Sequence, residues 1–331
     1  LGDIVGTSID LSDGRNQFWS EKVASVKGNS CNTFWIISLV QNTYYSYKVD
    51  INGLNTTPIK SVVNYYSGDR RGYLKVSPDG KKLASATFTQ YYDNEKNVNV
   101  LGEGKLHLYS FNDITGQVSN DGLELITNVQ NDGVPYGIEF SPNSSKLYTS
   151  TYDGNDNKLI QFNLESTNIP LTKSLVNSQT GYRGALQLAP NGKIYATVPA
   201  SYDVGTKYLN AINSPNEKVS ECNFQLNALD LGTGRAMQGL PPFIASLLLP
   251  IEITSLENNN QIITNQKVKL CVGSDYTFNT EFLPGNPSYN WTHNNIEVNN
   301  TSSLTFSNIQ TSQAGIYNLE VNLIDDCGFP I

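Results

Sequence analysis

The chain has 331 residues, a net charge of −8 and only 16% Asp, Glu, Lys and Arg. With no basic patch interleaved with aromatics, this balance excludes nucleic-acid binding. The longest apolar run, Phe243–Ile251, is broken by Ser246 and Pro250 and falls well short of the ~20 residues a helix needs to cross a bilayer, so no membrane insertion is expected.

Asn, Ser, Thr, Tyr and Gly do the solvating in place of charge, as is common in extracellular β-proteins. The length suits about two domains. Leu1 runs at once into polar sequence, so any targeting segment is expected upstream of the chain or already removed.

Along the chain, the first recognisable unit is KVASVKGNSCNTFWIIS from Lys22, strand-like on both sides of an irregular turn. The same layout returns as VSPDGKKLASAT from Val76, FSPNSSKLYTST from Phe140 and LAPNGKIYATVP from Leu188. Each is an apolar residue, a Pro-containing turn with Asp or Asn next to Gly or Ser, and then an alternating strand. Pro presets φ, and Asp, Asn and Gly suit the rest of a hairpin turn. A single hairpin cannot bury its apolar face, but several arranged radially can, which predicts a β-propeller. The turns at Ser77, Ser141 and Ala189 are spaced more widely than the ~40–45 residues of compact blades, so long loops are expected. Four to five blade units fit in residues 1–250, closed by GRAMQGLPPFIASLLL from Gly234.

The pattern changes near residue 250. Residues 251–267 read as an Asn-rich linker with a first strand. From 268 to 331 the segments KLCVGSDYTFNTEF, PSYNWTHN, SLTFSNI and SQAGIYNLEVNL read as a β-sandwich of immunoglobulin type. Cys271 precedes the core residue Trp291, and Tyr317 follows Gly315 where a tyrosine corner would stand. Position 319 is Leu where antibody domains have Cys, and the chain is expected to stop before this domain is complete. The fold class is therefore all-β: a propeller followed by an Ig/PKD-like sandwich.

The four cysteines, Cys31, Cys222, Cys271 and Cys327, form no CxxC and have only two histidines for company, which argues against a zinc site. Their even number favours disulfides, with three connectivities open. Cys31 and Cys222 flank the ring closure and are expected to pair, as are Cys271 and Cys327. The alternative is four free thiols.

The blade segments resemble a family of secreted surface proteins from Bacteroidetes. These carry a WD-like propeller, then Ig or PKD-like modules, then a gliding-motility-type C-terminal sorting domain. The resemblance runs in order through EKVASVKGNSCNTFWIIS (Glu21–Ser38), RGYLKVSPDGKKLA (Arg71–Ala84), YGIEFSPNSSKLYTS (Tyr136–Ser150), GALQLAPNGKIYATV (Gly184–Val198) and CNFQLNALDLGTGRAMQGLPPFI (Cys222–Ile244). It implies export by type IX secretion, a cell-surface location and an adhesion or scaffold role. It carries over no catalytic residue. The first blades and the sorting domain of that family have no counterpart here, so a fragment lacking both ends is expected.

The residues themselves offer little catalytic chemistry. The turns lack the Trp of sialidase boxes. A lactonase-like centre would draw on Glu139, Asp132 or Asn210, but nothing in the sequence makes them converge. Asp153–Asn157 begins like a calcium loop, yet Lys158 stands at the sixth position and Leu164 at the twelfth. Glycine-rich Gly102–Tyr109 and Leu231–Gly239 open no helix. His107 and His293 lie in strand contexts. No catalytic residue, cofactor or metal site is therefore expected.

The tyrosine-rich loops remain. They fit packing between blades, or exposed stacking faces for a partner. Candidate partner-binding residues are Tyr91, Tyr92, Tyr202 and Tyr208, on the loops Tyr91–Gly104 and Ser201–Ser214, facing a protein or glycan at the cell surface. The competing functions are a non-enzymatic surface module, a propeller hydrolase or lactonase, and a carbohydrate-binding module.

Overall fold

The computed structural model describes residues 11, 18–30, 32–65, 68–126, 129–248, 253–255, 261–262, 268–280, 283 and 287–322. The chain divides into two compact units, Leu1–Leu249 and Pro250–Ile331. The described residues are nearly all β, with one four-residue helical turn among them at Val129–Asp132 and a few 3₁₀ turns.

The described residues of unit one hold four antiparallel meanders in sequence order. The first is β1 (Trp19–Lys27), β2 (Phe34–Val40) and β3 (Thr43–Asp50), whose outer edge is shared by β4 (Gly53–Leu54) and β5 (Ile59–Val62). The second begins with β6 (Leu74–Val76) and β7 (Lys82–Thr87). A separate hairpin of β8 (Gln90–Asp93) and β9 (Val98–Leu101) then interrupts it before β10 (Lys105–Ser110) and β11 (Leu123–Ile126). The third is β12 (Val134–Phe140), β13 (Lys146–Tyr152), β14 (Asp156–Asn163) and β15 (Ser174–Thr180). The fourth is β16 (Leu186–Leu188), β17 (Ile194–Ala196), β18 (Tyr208–Ile212) and β19 (Phe224–Asp230).

The first strands β1, β6, β12 and β16 neighbour one another in that order. Three apolar cores lie between successive sheets rather than inside any one of them. Ala24, Val26 and Ile37 meet Leu74, Val76 and Leu83; Ala84, Ala86 and Leu106 meet Ile138, Phe140 and Leu147; Tyr148 and Leu159 meet Leu186, Leu188 and Ile212. Face-to-face packing of consecutive meanders around their first strands is a propeller-like arrangement. Among the described residues, the segment from Gly234 forms no further sheet. Its 3₁₀ turn Ala245–Leu248 joins the core of the fourth sheet through Ala245, while Ser246 Oγ accepts a hydrogen bond from Lys27 N in β1 at 2.9 Å.

The repeated turns occupy equivalent places. Pro78, Pro142 and Pro190 each follow the first strand of their sheet. Ser77 N donates to Lys82 O, Ser141 N to Lys146 O and Ala189 N to Lys193 O, each at 2.9 Å. Gly80, Ser144 and Gly192, each three residues into its turn, have φ of 70°, 60° and 73°. Ser144 holds this left-handed conformation without being glycine, and its hydroxyl accepts from Asp79 N of the preceding turn at 3.1 Å. The irregular turn at Gly28–Thr33 repeats the frame, with Gly28 N donating to Thr33 O at 2.7 Å.

Where the first strands crowd together, glycine is required by space. A Cβ on Gly184 would lie 1.9 Å from Thr197 O, and one on Gly137 would lie 2.3 Å from Gly184 O. Ser150 bridges these backbones, its Oγ accepting from Gly137 N and donating to Gly184 O.

Unit two holds β20 (Ile253–Ser255), β21 (Gln261–Ile262), β22 (Tyr276–Thr280), β23 (Ser288–His293), β24 (Ile296–Asn299), β25 (Ser303–Phe306) and β26 (Tyr317–Asn322). One sheet runs β21-β20-β22-β25 and the other β24-β23-β26. They share a core of Tyr276, Trp291, Leu304, Phe306 and Ile309. Trp291 Nε1 donates to Thr301 O at 3.0 Å, and Tyr317 Oη donates back to Gln313 O at 2.8 Å.

The expected disulfides are corrected. Cys222 and Cys271 both carry free thiols; Cys31 and Cys327 lie outside the described residues. Cys222 sits in the core shared by the third and fourth sheets, not at the seam with the first. Burial raises its thiol pKa. Cys271 is exposed in the turn before β22.

Candidate functional site

In an antiparallel meander successive connections alternate ends, so all the Pro turns fall on one end of the first strands. The β7–β10, β13–β14 and β17–β18 connections, and the loops that enter β6 and β16, fall on the other. A cavity of about 640 Å³ opens at this second end. The sheet entries supply Arg71 and Thr180–Arg183, the β8–β9 hairpin Gln90, Asn99 and Leu101, the β13–β14 turn Tyr152, Gly154 and Asn155, and the β17–β18 loop Ala200–Tyr202. This volume is within the ~300–1,000 Å³ range of small-molecule sites. Tyr152, Tyr182 and Tyr202 form a chain of edge-on rings, with centroids 4.8 and 6.2 Å apart. Tyr182 Oη donates to Gln90 Oε1 at 3.3 Å, tying the hairpin to the wall.

Two arginines differ in how their charge is met. Arg71 pairs with Asp69 and also donates to Gln90 O. Burial opposes ionisation of Asp69, but hydrogen bonds from Arg71 outweigh it and hold the carboxyl below its usual range. Arg183 is 5% exposed. Its Nε donates to Gln238 Oε1 at 2.7 Å, while Nη1 has no hydrogen-bond partner. Its guanidinium carbon lies 4.1 Å from the Phe88 ring centre, 4.7 Å from that of Tyr136 and 5.2 Å from that of Tyr182. Arg71 approaches the same Phe88 ring at 5.7 Å.

A third cation lies beside them. Lys22 on β1 is 1% exposed and donates to Arg71 O at 2.9 Å. Burial lowers its pKa to about 8, against the opposing pull of Glu21 and Asp69. The unfolded lysine ionises near 10.5, so between these values the unfolded chain binds more protons than the folded one, and stability rises with pH. Below about pH 8 the whole cost of burying the ammonium is present. Chemical denaturation of wild type and Lys22→Met should therefore show wild type gaining ~2–3 kcal/mol relative to the variant between about pH 7 and pH 10.5. Tyrosine ionisation occurs in both proteins and cancels in the difference. A difference that stays flat with pH would show that Lys22 is solvated.

The sequence-predicted residues divide. Tyr202 lines the cavity at 60% exposure. Tyr91 and Tyr92 are exposed on β8 but outside the lining, where the same hairpin contributes Gln90, Asn99 and Leu101. Tyr208 stands on β18 with Lys207 Nζ 5.3 Å from its ring, also outside the lining.

The lactonase candidates do not converge. Glu139 is fully buried at the first strands, its Oε2 accepting from Lys75 Nζ at 2.8 Å and from Leu188 N at 2.9 Å. Asp132 pairs with Lys173 at 2.7 Å, and Asn210 Oδ1 accepts from Asn227 N at 3.0 Å. Asp153 is taken by Lys158 at 2.9 Å and by the backbone of Asn155 and Asp156. His107 is buried 4.4 Å from the Tyr65 ring, and burial lowers its pKa. His293 stacks on Tyr317 at 4.4 Å. Among the described residues no cluster of three metal-ligating side chains occurs.

Sequence reasoning missed Arg71, Arg183 and Gln238. A signal was present: Arg-Gly-x-Leu opens both the second and fourth sheets, at Arg71–Leu74 and Arg183–Leu186.

No family model matches the chain, and no curated protein matches it. Solved structures do resemble it. A putative 6-phosphogluconolactonase from Bacteroides uniformis is 17% identical with a TM-score of 0.37, over 57% of this chain and 50% of that one. TolB from Acinetobacter baumannii is 12% identical with a TM-score of 0.37, over 59% and 41%. A gluconolactonase from Xanthomonas campestris is 11% identical with a TM-score of 0.31, over 64% and 79%. The chain thus spans about half the length of the first two.

Proposed function

We propose that the chain is a non-enzymatic extracellular surface protein whose propeller-like unit presents a binding pocket for a protein or glycan, in adhesion or in assembly of a surface scaffold. The observation that carries this reading is the chemistry of the lining. The described lining residues are tyrosine, amide, hydroxyl, small apolar and arginine side chains, without a carboxylate, imidazole, amine or thiol. Hydrolysis of a lactone, ester or glycoside needs a group that exchanges protons near neutral pH, whereas stacking rings and neutral hydrogen-bonding groups suit recognition. The scattered, paired state of Glu139, Asp132 and Asn210 supports the same reading over a lactonase. Export by type IX secretion and an Ig- or PKD-like second unit belong to the proposal. The buried Trp291 and the Tyr317–Gln313 hydrogen bond favour the latter.

Two measurements test it. Protease added to intact producing cells is expected to digest the protein; protection until lysis would refute a surface location. Assays with δ-lactones, aryl esters and aryl glycosides are expected to show no turnover above buffer. Turnover abolished by a substitution in the cavity would replace this reading with the hydrolase.

A further inference from the structure

Arg183 poses a physical question that its neighbours do not answer. A guanidinium offers five N–H donors, and here one hydrogen bond, to a neutral amide, is formed in a site that excludes most water. Burying a charge without a counter-charge is costly, and aromatic faces meet it with a weaker attraction than a carboxylate would. Arg71, on the same Phe88 ring, is neutralised by Asp69; among the described residues Arg183 has no carboxylate. The cavity wall thus carries one uncompensated cation beneath a run of tyrosine rings, with Asn99, Asn155 and Ser201 around it.

We infer that this pocket takes a carboxylate-bearing saccharide. The carboxylate meets the part of the Arg183 guanidinium that borders the cavity, the sugar ring stacks on Tyr202 or Tyr182, and the amides and Ser201 meet the hydroxyls. An uncompensated guanidinium favours an anionic group over a neutral one, and the apolar faces of pyranose rings suit tyrosine. The inference deepens the binding role proposed above and rests on it.

Calorimetric titration of the full chain tests it. The probes are trisaccharides of galacturonate, glucuronate and mannuronate, their neutral counterparts, a sulfated galactose trisaccharide and a glutamate hexapeptide. At least one uronate trisaccharide is expected to bind at least tenfold more tightly than its neutral counterpart, the sulfated sugar and the peptide. Arg183→Met should weaken that binding roughly 10- to 100-fold and remove the preference for the uronate over its neutral counterpart. Tyr202→Ala, at an exposed position where folding is not at risk, should weaken it roughly 2- to 10-fold. If Arg183→Met does not fold, Arg183→Lys keeps the charge without the planar fork and should lose roughly tenfold.

Equal affinity for acidic and neutral sugars, preference for the sulfate or the peptide, no binding of any uronate, or full binding by the Arg183 variants would each overturn the inference. Neutral-sugar or peptide binding alone would leave the binding-protein reading standing. Cleavage of a trisaccharide would instead overturn that reading.

Discussion

Replacing Glu139 by alanine is expected to destabilise the propeller-like unit by about 3–5 kcal/mol, the cost of breaking a buried ion pair by removing one partner. Glu139 lies on β12 and is fully buried. Its Oε2 accepts from Lys75 Nζ of β6 and from Leu188 N of β16, and its Oε1 from Phe140 N. Lys75 Nζ donates as well to Gln187 Oε1 at 2.8 Å. One carboxylate therefore fastens the first strands of three sheets. Alanine would strand a buried ammonium and leave two backbone N–H groups without their acceptor, each a desolvated polar group with no compensation. Equilibrium unfolding in urea should show the loss as a lower midpoint at unchanged slope. The partner test is Lys75→Met in the Glu139→Ala background. Removing the stranded charge should return at least ~1 kcal/mol, since apolar replacement of both members of a buried pair is often near neutral. A loss below about 1 kcal/mol for Glu139→Ala would mean that water enters between the strands and the pair is not load-sharing.

Trp291→Ala should cost unit two about 3–5 kcal/mol, the range for deleting a large buried aromatic. Trp291 is 2% exposed on β23, stacked 6.1 Å from Phe278 of the facing sheet, and shares its core with Tyr276, Leu304 and Phe306. Its indole N–H is also satisfied, by Thr301 O. Truncation loses the transfer energy of the ring, opens a cavity and leaves the Thr301 carbonyl without a donor. A unit of this size has little stability to spare. Hydrogen exchange on the full chain should therefore show protection lost in β22, β23 and β26 and kept in β12–β14. Retained protection in β23 would show that the two sheets hold without this residue.

Much of unit one could be read from residue types. Pro78, Pro142 and Pro190, each before Asp or Asn, state a local backbone preference, and the chain obeys it in three successive sheets because turn geometry is decided within a few residues. The same locality explains why Gly80 and Gly192 mark left-handed positions, and why Ser144 could be placed only by its alignment with them. Tyr202 on its loop was legible for a related reason: long connections between strands run over the surface. The Cys31–Cys222 pairing was not legible. It required knowing which face of the fourth sheet Cys222 occupies, and Cys222 packs toward the third sheet.

The centre of unit one was decided by tertiary structure. Lys75, Glu139 and Gln187 stand at matching positions, two residues before the turn residues Ser77, Ser141 and Ala189. Each looks like an ordinary polar residue in its own strand, and only the convergence of three first strands makes them one buried network. Arg183 is likewise an unremarked residue before a glycine until Phe88, Tyr136 and Gln238, far from it in sequence, arrive around its guanidinium. Sequence by itself fixes what depends on neighbouring residues: turns, strand alternation and the change of pattern near residue 250. Charge burial and pocket composition depend on residues that folding alone brings together, because desolvation and pairing act through space.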